Sequence, residues 1–283
     1  MSAGRVMVVI VNWHDWDSTR AAIESIYRGV GPVHPQVLIV DNEQQEHPPA
    51  LPDGVIVVPQ ERNLGYAGGN NVGIRLALRR DPRPEFVLIM NNDCMLVGTA
   101  LEAMVDLMDS HPDAGIVGPV IQNLDGTHQT SGAKLTFWSI KRCPTAPQDV
   151  RAVDFVSGAC MLVRVTVFEE VGFLDEQFFH YGEDVDFCVR VRASGHKIIV
   201  APDAVAQHRR HNSLGGASPQ LGYYAVRNSI LFARKHGVGR VGWAAVIRHV
   251  VPVRTILRGD WVQVTAAWAG LRDGLQGVGG MRP

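Results

Sequence analysis

Three short clusters hold the side chains best suited to chemistry. Glu183, Asp184 and Asp186 put three carboxylates into four positions, directly behind Phe178-Phe179-His180-Tyr181 and Gly182. Acidic residues in a first helical turn favour the helix dipole, which accounts for one or two of them. A Glu and an Asp side by side behind aromatic rings also suit a partly desolvated general base with a neighbour that tunes it. The second cluster, Asn91-Asn92-Asp93, closes the apolar run 86–90. A hard divalent cation bridging two phosphates needs only one or two protein carboxylates, because phosphate oxygens and water fill its other positions. A single Asp at a strand end is enough. The third cluster is His208-Arg209-Arg210-His211-Asn212-Ser213, whose imidazole, guanidinium and hydroxyl groups suit a diphosphate.

Side chains so far apart in sequence can meet only if the elements between them form a sheet with a common edge. Apolar, β-branched runs at 6–11, 37–40, 55–58 and 86–90 are long enough for buried strands and too short for helices. Between the first two, Ile23, Ile26, Tyr27 and Val30 have helical spacing, with Asp17 and Ser18 as candidate caps. A second helix is expected after Gly68, and a third with Leu101, Met104, Val105 and Met108 on one face. This alternation predicts βαβ units, a parallel sheet and a ligand crevice at the strands' carboxyl ends. Asn12, Asp41 and Asn91 stand at three such ends. The loop 63–71, rich in Gly and Asn, opens a helix and can bring N–H groups close to a phosphate or ribose. Further on, strands are expected over 153–163 and 197–201, with a helix over 182–194 between them and helical text from Gln220. Gly237-Val238-Gly239-Arg240-Val241-Gly242 satisfies GxGxxG but follows helical text instead of a strand, so it is rejected as a dinucleotide fingerprint.

The chain of 283 residues is long enough for one large α/β domain with an appended piece. Its net charge of −1 argues against nucleic acid as a partner. Four cysteines without CxxC spacing point to reduced thiols and no structural zinc. Nothing at the N-terminus reads as a signal peptide, so a cytoplasmic location is expected. The apolar stretch 243–257 is interrupted by Arg248, His249, Pro252 and Arg254 and falls short of a membrane span.

These motifs occur in an order that resembles the family 2 glycosyltransferases of GT-A fold, particularly their rhamnosyltransferase-like bacterial members. The resemblance covers about residues 5–236. It rests on Val9-Ile10-Val11-Asn12-Trp13, Asp41-Asn42, the loop 63–71, Asn91-Asn92-Asp93, Ser157-Gly158-Ala159-Cys160-Met161, Gly172-Phe173-Leu174-Asp175-Glu176 leading into Glu183-Asp184, and Tyr223-Tyr224 with Arg227-Asn228. It implies an α/β fold with a mixed, mainly parallel central sheet and a C-terminal helical extension. Residues 1–236 would form the catalytic domain, with a nucleotide-sugar half to about 120 and an acceptor half beyond it, and 237–283 the extension.

By the same resemblance, Val11, Asn12 and Asp41 would line the nucleoside pocket, and Arg62, Asn63 and Asn70 would follow the nucleotide and sugar. Asn91, Asn92 and Asp93 stand where the family's DxD motif stands, with Asn91 replacing the first Asp. Asp93 would bind Mg²⁺ or Mn²⁺ with His208 as a second contact, Asp184 would be the catalytic base and Glu183 its acidic neighbour. The implied reaction is metal-assisted, inverting transfer of a sugar to an acceptor hydroxyl on a glycan, a lipid-linked sugar or a secondary metabolite. A dTDP- or UDP-sugar is the favoured donor, with a deoxyhexose such as rhamnose first.

Two other classes are weighed against it. A sugar nucleotidyltransferase should open with a Gly-rich, basic phosphate loop where Asn12-Trp13-His14-Asp15 stands, and a non-catalytic sugar-nucleotide-binding or membrane-associated scaffold does not require Glu183-Asp184 beside a metal motif. From Arg227 onward the chain carries nine Lys/Arg against two Asp/Glu, with Trp243, Trp261 and Trp268. This composition suits an anionic membrane surface at the inner face of the cell membrane, and equally a helix pair packed on the catalytic domain or on a second subunit in a homodimer.

Overall fold

The computed structural model describes residues 4–29, 31, 33–43, 49–135, 140–209, 219–237 and 260–282. The expectations for Val30, Arg210 to Ser213, the GxGxxG run beyond Gly237 and the stretch 243–257 fall outside these residues.

Four apolar runs form parallel neighbours in the order β4-β1-β2-β3: β1 (Val6–Asn12), β2 (Gln36–Asp41), β3 (Ile56–Pro59) and β4 (Phe86–Asn91). Every residue of β1 is buried, as a strand covered on both faces requires. Val6, Val8 and Ile10 pack towards Ile23 and Ile26 of α1 (Trp16–Arg28) and Leu101 and Met104 of α3 (Ala100–Ser110). Met7, Val9 and Val11 face the opposite way, joining Ile74 and Ala77 of α2 (Gly65–Leu78) in a second core. The period of two along one strand thus divides the molecule into two apolar layers.

Beyond β4 the sheet becomes mixed. Short β5 (Cys94–Val97) turns back from the β4 tip, and the path continues β4-β11-β6-β12-β10 through β6 (Ala114–Gln122), β10 (Arg151–Val153), β11 (Cys160–Arg164) and β12 (Lys197–His208). β11 is antiparallel to both β4 and β6, whereas β6 and β12 are parallel, so β1, β2, β3, β4, β6 and β12 run in one direction. β7 (His128–Thr130) pairs with β6, and β8 (Ala133–Leu135) with β9 (Ile140–Arg142) forms a separate hairpin. Helices α4 (Val165–Val171) and α5 (Glu183–Ala193) contribute Phe168 and Phe187, stacked at 5.4 Å, to the α2 side.

Several boundaries differ from those expected. α1 is capped by Asp15, whose carboxylate accepts the Ser18 N–H at 2.9 Å, instead of by Asp17 or Ser18. α2 starts at Gly65, so Gly68 and Gly69 are helical; they allow close packing, and a Cβ at Gly69 would lie 2.9 Å from the Val11 side chain. The strand expected over 153–163 is two strands, β10 and β11, separated by a segment that turns into the sheet edge. β12 runs past Pro202, which has no N–H to donate, and its register against β6 shifts between Ala201 and Val205.

The C-terminal helices α6 (Pro219–His236) and α7 (Trp261–Gln276) pack on each other through Tyr223, Tyr224, Val226, Ile230, Ala266 and Ala267. Glycine makes the crossing close. A Cβ at Gly270 would stand 2.4 Å from the Tyr223 carbonyl oxygen, and one at Gly274 3.0 Å from that of Arg227. Among the described residues no helix is long and apolar enough to cross a membrane.

Candidate active site

Sheet register alone brings three of the polar tips together. Asn12 is paired with Asp41, and Val11 beside it with Asn91. Asn12 is fully buried, and its side chain is committed within the protein: the amide donates to Asp41 and Glu43, each at 3.1 Å, and the carbonyl accepts from the Thr19 hydroxyl at 2.8 Å. Asp41 is equally buried. Its Oδ1 accepts from Asn12 and from the Glu43 N–H, but Oδ2 has no partner among the described residues. A buried carboxylate oxygen left open is costly unless a ligand's O–H or N–H completes it.

The 63–71 loop lies beside these tips. Asn63 accepts the Gly65 N–H at 2.8 Å and the Asn42 amide at 3.4 Å, fixing the entry to α2. Asn70 donates to the Tyr66 carbonyl, while its own Oδ1 is buried without a partner among the described residues. Arg62 is exposed. Asn92 turns the other way, its amide 3.2 Å from the Asp15 carbonyl and 3.3 Å from the Thr19 hydroxyl, so it ties the β4 tip to α1.

Asp93 and His208 converge because β5 and β12 pair antiparallel, with His208 opposite Cys94 and the Arg209 N–H donating to the Asp93 carbonyl. His208 Nε2 lies 3.2 Å from Asp93 Oδ1 and 3.3 Å from the Asn91 amide. On the far side of the ring, Nδ1 is 3.2 Å from Gln129 Oε1 on β7. An N–H donated to that oxygen leaves the lone pair on Nε2, the tautomer that metal ligation requires. One carboxylate and one imidazole fit Mn²⁺ or Mg²⁺ that draws its remaining ligands from a diphosphate and water. Among the described residues no set of three or more His, Cys, Asp or Glu side chains forms a closed metal cage.

Asp184 reaches the same edge through β11, which pairs so that Cys160 lies opposite Met90 and the Asn91 N–H donates to the Ala159 carbonyl. One residue earlier, the Gly158 N–H donates to Asp184 Oδ2 at 2.9 Å, and Oδ1 accepts the Val185 N–H at 2.8 Å. The carboxylate is therefore held by backbone donors one peptide link from the β4 tip. Burial raises the Asp184 carboxyl above its usual range against the pull of these donors. Its neighbour Glu183 is pushed well up, by burial and then by the Asp184 charge, and its Oε2 has no partner among the described residues. Two adjacent buried carboxyls do not both ionise readily, and Glu183 lacks the backbone donors from Gly158 and Val185 that favour the ionised form of Asp184. Asp186 belongs elsewhere. Fully buried, it pairs with Arg190 at 2.9 Å and with Lys235 and His236 at 2.8 Å; burial pushes its carboxyl up, but these partners outweigh it and hold it low.

Sequence reasoning missed Gln129, which sits in a three-residue strand with no motif around it. It also gave no role to Tyr66, whose hydroxyl fixes the Gly158 carbonyl at 2.6 Å, or to Arg227 and Asn228, although all three lie within quoted motifs.

A model of the glycosyltransferase-like family 2 matches residues 3–222. The chain belongs to that family. Among relatives of this family 2 chain, the low-salt glycan biosynthesis hexosyltransferase Agl10 of Haloferax volcanii is 30% identical over 193 residues, 65% of this chain and 61% of that one. The N-acetylglucosaminyl-diphospho-decaprenol L-rhamnosyltransferase of Mycobacterium tuberculosis is 27% identical over 254 residues, 79% of this chain and 80% of that one. Among solved structures, the mannosyltransferase PcManGT of Pyrobaculum calidifontis, in complex with GDP-Man and Mn²⁺, superposes with a TM-score of 0.62 at 14% identity, covering 97% of this chain and 88% of that one. The shared fold is GT-A.

Proposed function

We propose that this chain transfers a sugar from a nucleotide-diphosphate donor to an acceptor hydroxyl with inversion at the anomeric carbon, using Asp184 as general base. The observation that carries the reading is the Asp184 carboxylate, held by Gly158 and Val185 N–H groups at the sheet edge that also bears Asp41, Asn91 and Asp93. Asp41 Oδ2 and Asn70 Oδ1 would receive donor N–H or O–H groups. Asp93 and the Nε2 lone pair of His208 would hold Mg²⁺ or Mn²⁺, which when bound neutralises charge on the departing diphosphate.

Asp184 takes the proton of the acceptor hydroxyl as the acceptor oxygen bonds to the anomeric carbon. The bond from that carbon to the diphosphate oxygen breaks, and its electron pair leaves with the nucleotide. A single carboxylate acting from the face opposite the leaving group gives one displacement and hence inversion, whereas retention by double displacement would need a second, nucleophilic group.

The Mycobacterium tuberculosis relative, named for a decaprenol-linked sugar and for L-rhamnose, favours a deoxyhexose donor and a lipid-linked acceptor here, and dTDP remains the nucleotide that the family resemblance implies for it. Calorimetric titration with dTDP, UDP and GDP, in Mn²⁺ or Mg²⁺ and then in chelator, tests this. Metal-dependent binding of dTDP above the other two is expected; failure to bind any nucleotide would overturn the transferase reading in favour of a membrane scaffold.

A lipid-linked acceptor also suits the solvent face of α7. Trp261, Trp268 and Leu275 recur every seven residues and are 63%, 57% and 54% exposed, in a C-terminal segment with nine Lys/Arg against two Asp/Glu. Tryptophan with excess positive charge favours the interface of an anionic bilayer. Co-sedimentation with vesicles containing anionic lipid is expected at low salt and should weaken at physiological salt and in Trp261→Ala/Trp268→Ala. Equal recovery with neutral vesicles, or none with either, would refute it.

A further inference from the structure

The turn that leads into Glu183-Asp184 adopts a backbone that its own residues do not favour. Phe179 and Tyr181 have φ of 60° and 69°, the left-handed region that costs a non-glycine residue about 1–2 kcal/mol. Such a turn persists only when its surroundings over-determine it, and here all five carbonyls from Gln177 to Tyr181 are taken. The Phe179 oxygen accepts the Tyr66 and Ala67 N–H groups at the start of α2. At this approach a Cβ on Gly65 would lie 2.5 Å from the same oxygen.

The other four carbonyls are held from α6 and the C-terminal segment. Asn228 Nδ2 lies 2.9, 2.8 and 2.6 Å from the oxygens of Phe178, His180 and Tyr181. Arg227 Nη2 donates to the Gln177 and Phe178 oxygens at 3.0 and 2.9 Å, and Nε donates to Asn228 Oδ1 at 2.8 Å. Nη1 donates to the Gly280 carbonyl, and the Gly280 N–H donates back to the Gln177 oxygen at 2.8 Å. Arg227 is fully buried and forms no ion pair with a carboxylate among the described residues. Its charge is satisfied by carbonyls, the Asn228 side chain and the faces of Tyr223 and Tyr224, 5.5 and 4.8 Å from the guanidinium carbon. Asp273, bonded to the Tyr223 hydroxyl at 2.7 Å, acts on the guanidinium only at longer range, and burying a guanidinium without a direct ion pair is an expensive way merely to join two helices. The family model's match ends at residue 222; Arg227-Asn228 belongs to the motifs of the resemblance, and Gly280 lies beyond both.

We propose that Arg227 and Asn228, closed by Gly280, are positioning residues that fix the 177–181 turn and thereby aim the Asp184 carboxylate at the acceptor. The inference rests on Asp184 being the base. It assigns the C-terminal segment to the catalytic unit: loosening the clamp should lower kcat and leave the donor nucleotide bound at the strand tips unaffected.

His180 reports on the turn without any turnover. Its ring packs against Tyr181 and, edge-on, Tyr66, and burial lowers its pKa to about 4 from an ordinary 6.5 against the weaker pull of Asp93. The test is an NMR titration of His180 in full-length parent, Asn228→Ala and Gly280→Pro, with nucleotide affinity, kcat and KM measured alongside. Gly280→Pro removes one N–H and forbids the φ of 80° at a position where an added Cβ meets no atom within 4 Å, so it reports even if Asn228→Ala does not fold. The expected result is a His180 pKa moved towards 6.5 in the variants, unchanged nucleotide affinity, and kcat reduced by up to about 10², the scale of a displacement near 1 Å. A fall in Tm with His180 and kcat unmoved would overturn the proposal. A moved His180 with Asp184→Asn still active would instead overturn the assignment of the base and leave the clamp standing.

Discussion

Asp184→Asn should bind donor nucleotide as the parent does and turn over about 10² to 10⁴ times more slowly, the scale of losing a positioned general base. The substitution removes proton affinity and leaves size nearly unchanged. It is not free of structural cost, because both carboxylate oxygens accept backbone N–H groups, from Gly158 and Val185, and an amide must turn its NH₂ against one of them. A buried N–H left unpaired in this way costs about 1–3 kcal/mol, so Tm should fall while the fold persists. Measuring kcat, Tm and nucleotide Kd on one preparation separates the effects. The pH profile gives a second sign. Asp184 must be ionised to act, so the rate should fall on the acid side. Since burial raises the Asp184 carboxyl, that fall should begin at higher pH than an ordinary Asp would give, and it should vanish in the Asn variant. Turnover within about threefold of the parent would remove Asp184 from the reaction, since a lost base costs at least about 10².

Asp93→Ala is expected to have an effect of similar size on binding. With one carboxylate and one imidazole offered to the cation, loss of the carboxylate leaves a single protein ligand, and His208 then faces only the Asn91 amide. Metal-dependent nucleotide affinity should fall by about 10² or more, beyond the 10- to 100-fold typical of groups that only support a ligand. Chelator added to the parent should reproduce the loss, and chelator should have no further effect on Asp93→Ala. Isothermal calorimetry and Mn²⁺ relaxation measure this without an acceptor. Equal nucleotide affinity with and without metal would show that the diphosphate is held by protein groups alone.

Much of the parallel half was legible because each strand is buried on both faces and reads as an unbroken apolar run. The polar residue ending each run then marks the edge where β1, β2 and β4 deliver Asn12, Asp41 and Asn91. Strand direction was not legible: residues 160–164 carry an apolar pattern that fits either sense, and only the register shows β11 reversed between β4 and β6. The segment 154–159 hides among apolar neighbours for the same reason, although it supplies Gly158 to Asp184. His208 and Asp93 were both nominated, but their approach depends on a pairing 115 positions apart that no local period encodes. Gln129 was out of reach, since β7 is three residues long and shorter than any window in which periodicity appears. The dense acidic cluster was only partly resolved. Spacing could not say that Asp186 turns back to Lys235 and His236 while Asp184 turns to the sheet edge.

The narrow crossing of α6 and α7 bears on how such enzymes can be recombined. Gly270 admits the Tyr223 carbonyl at a distance that no larger residue permits, Gly274 brings the Arg227 carbonyl nearly as close, and the chain then returns through Gly280 to the turn before Asp184. A chimera joined at the family boundary near residue 222 would separate the two halves of that lock. Exchanging acceptor preference between relatives should therefore succeed only when residues 223–282 travel as one cassette with the 173–184 segment they embrace, and a donor sequence with alanine at the Gly270 position would not accept it.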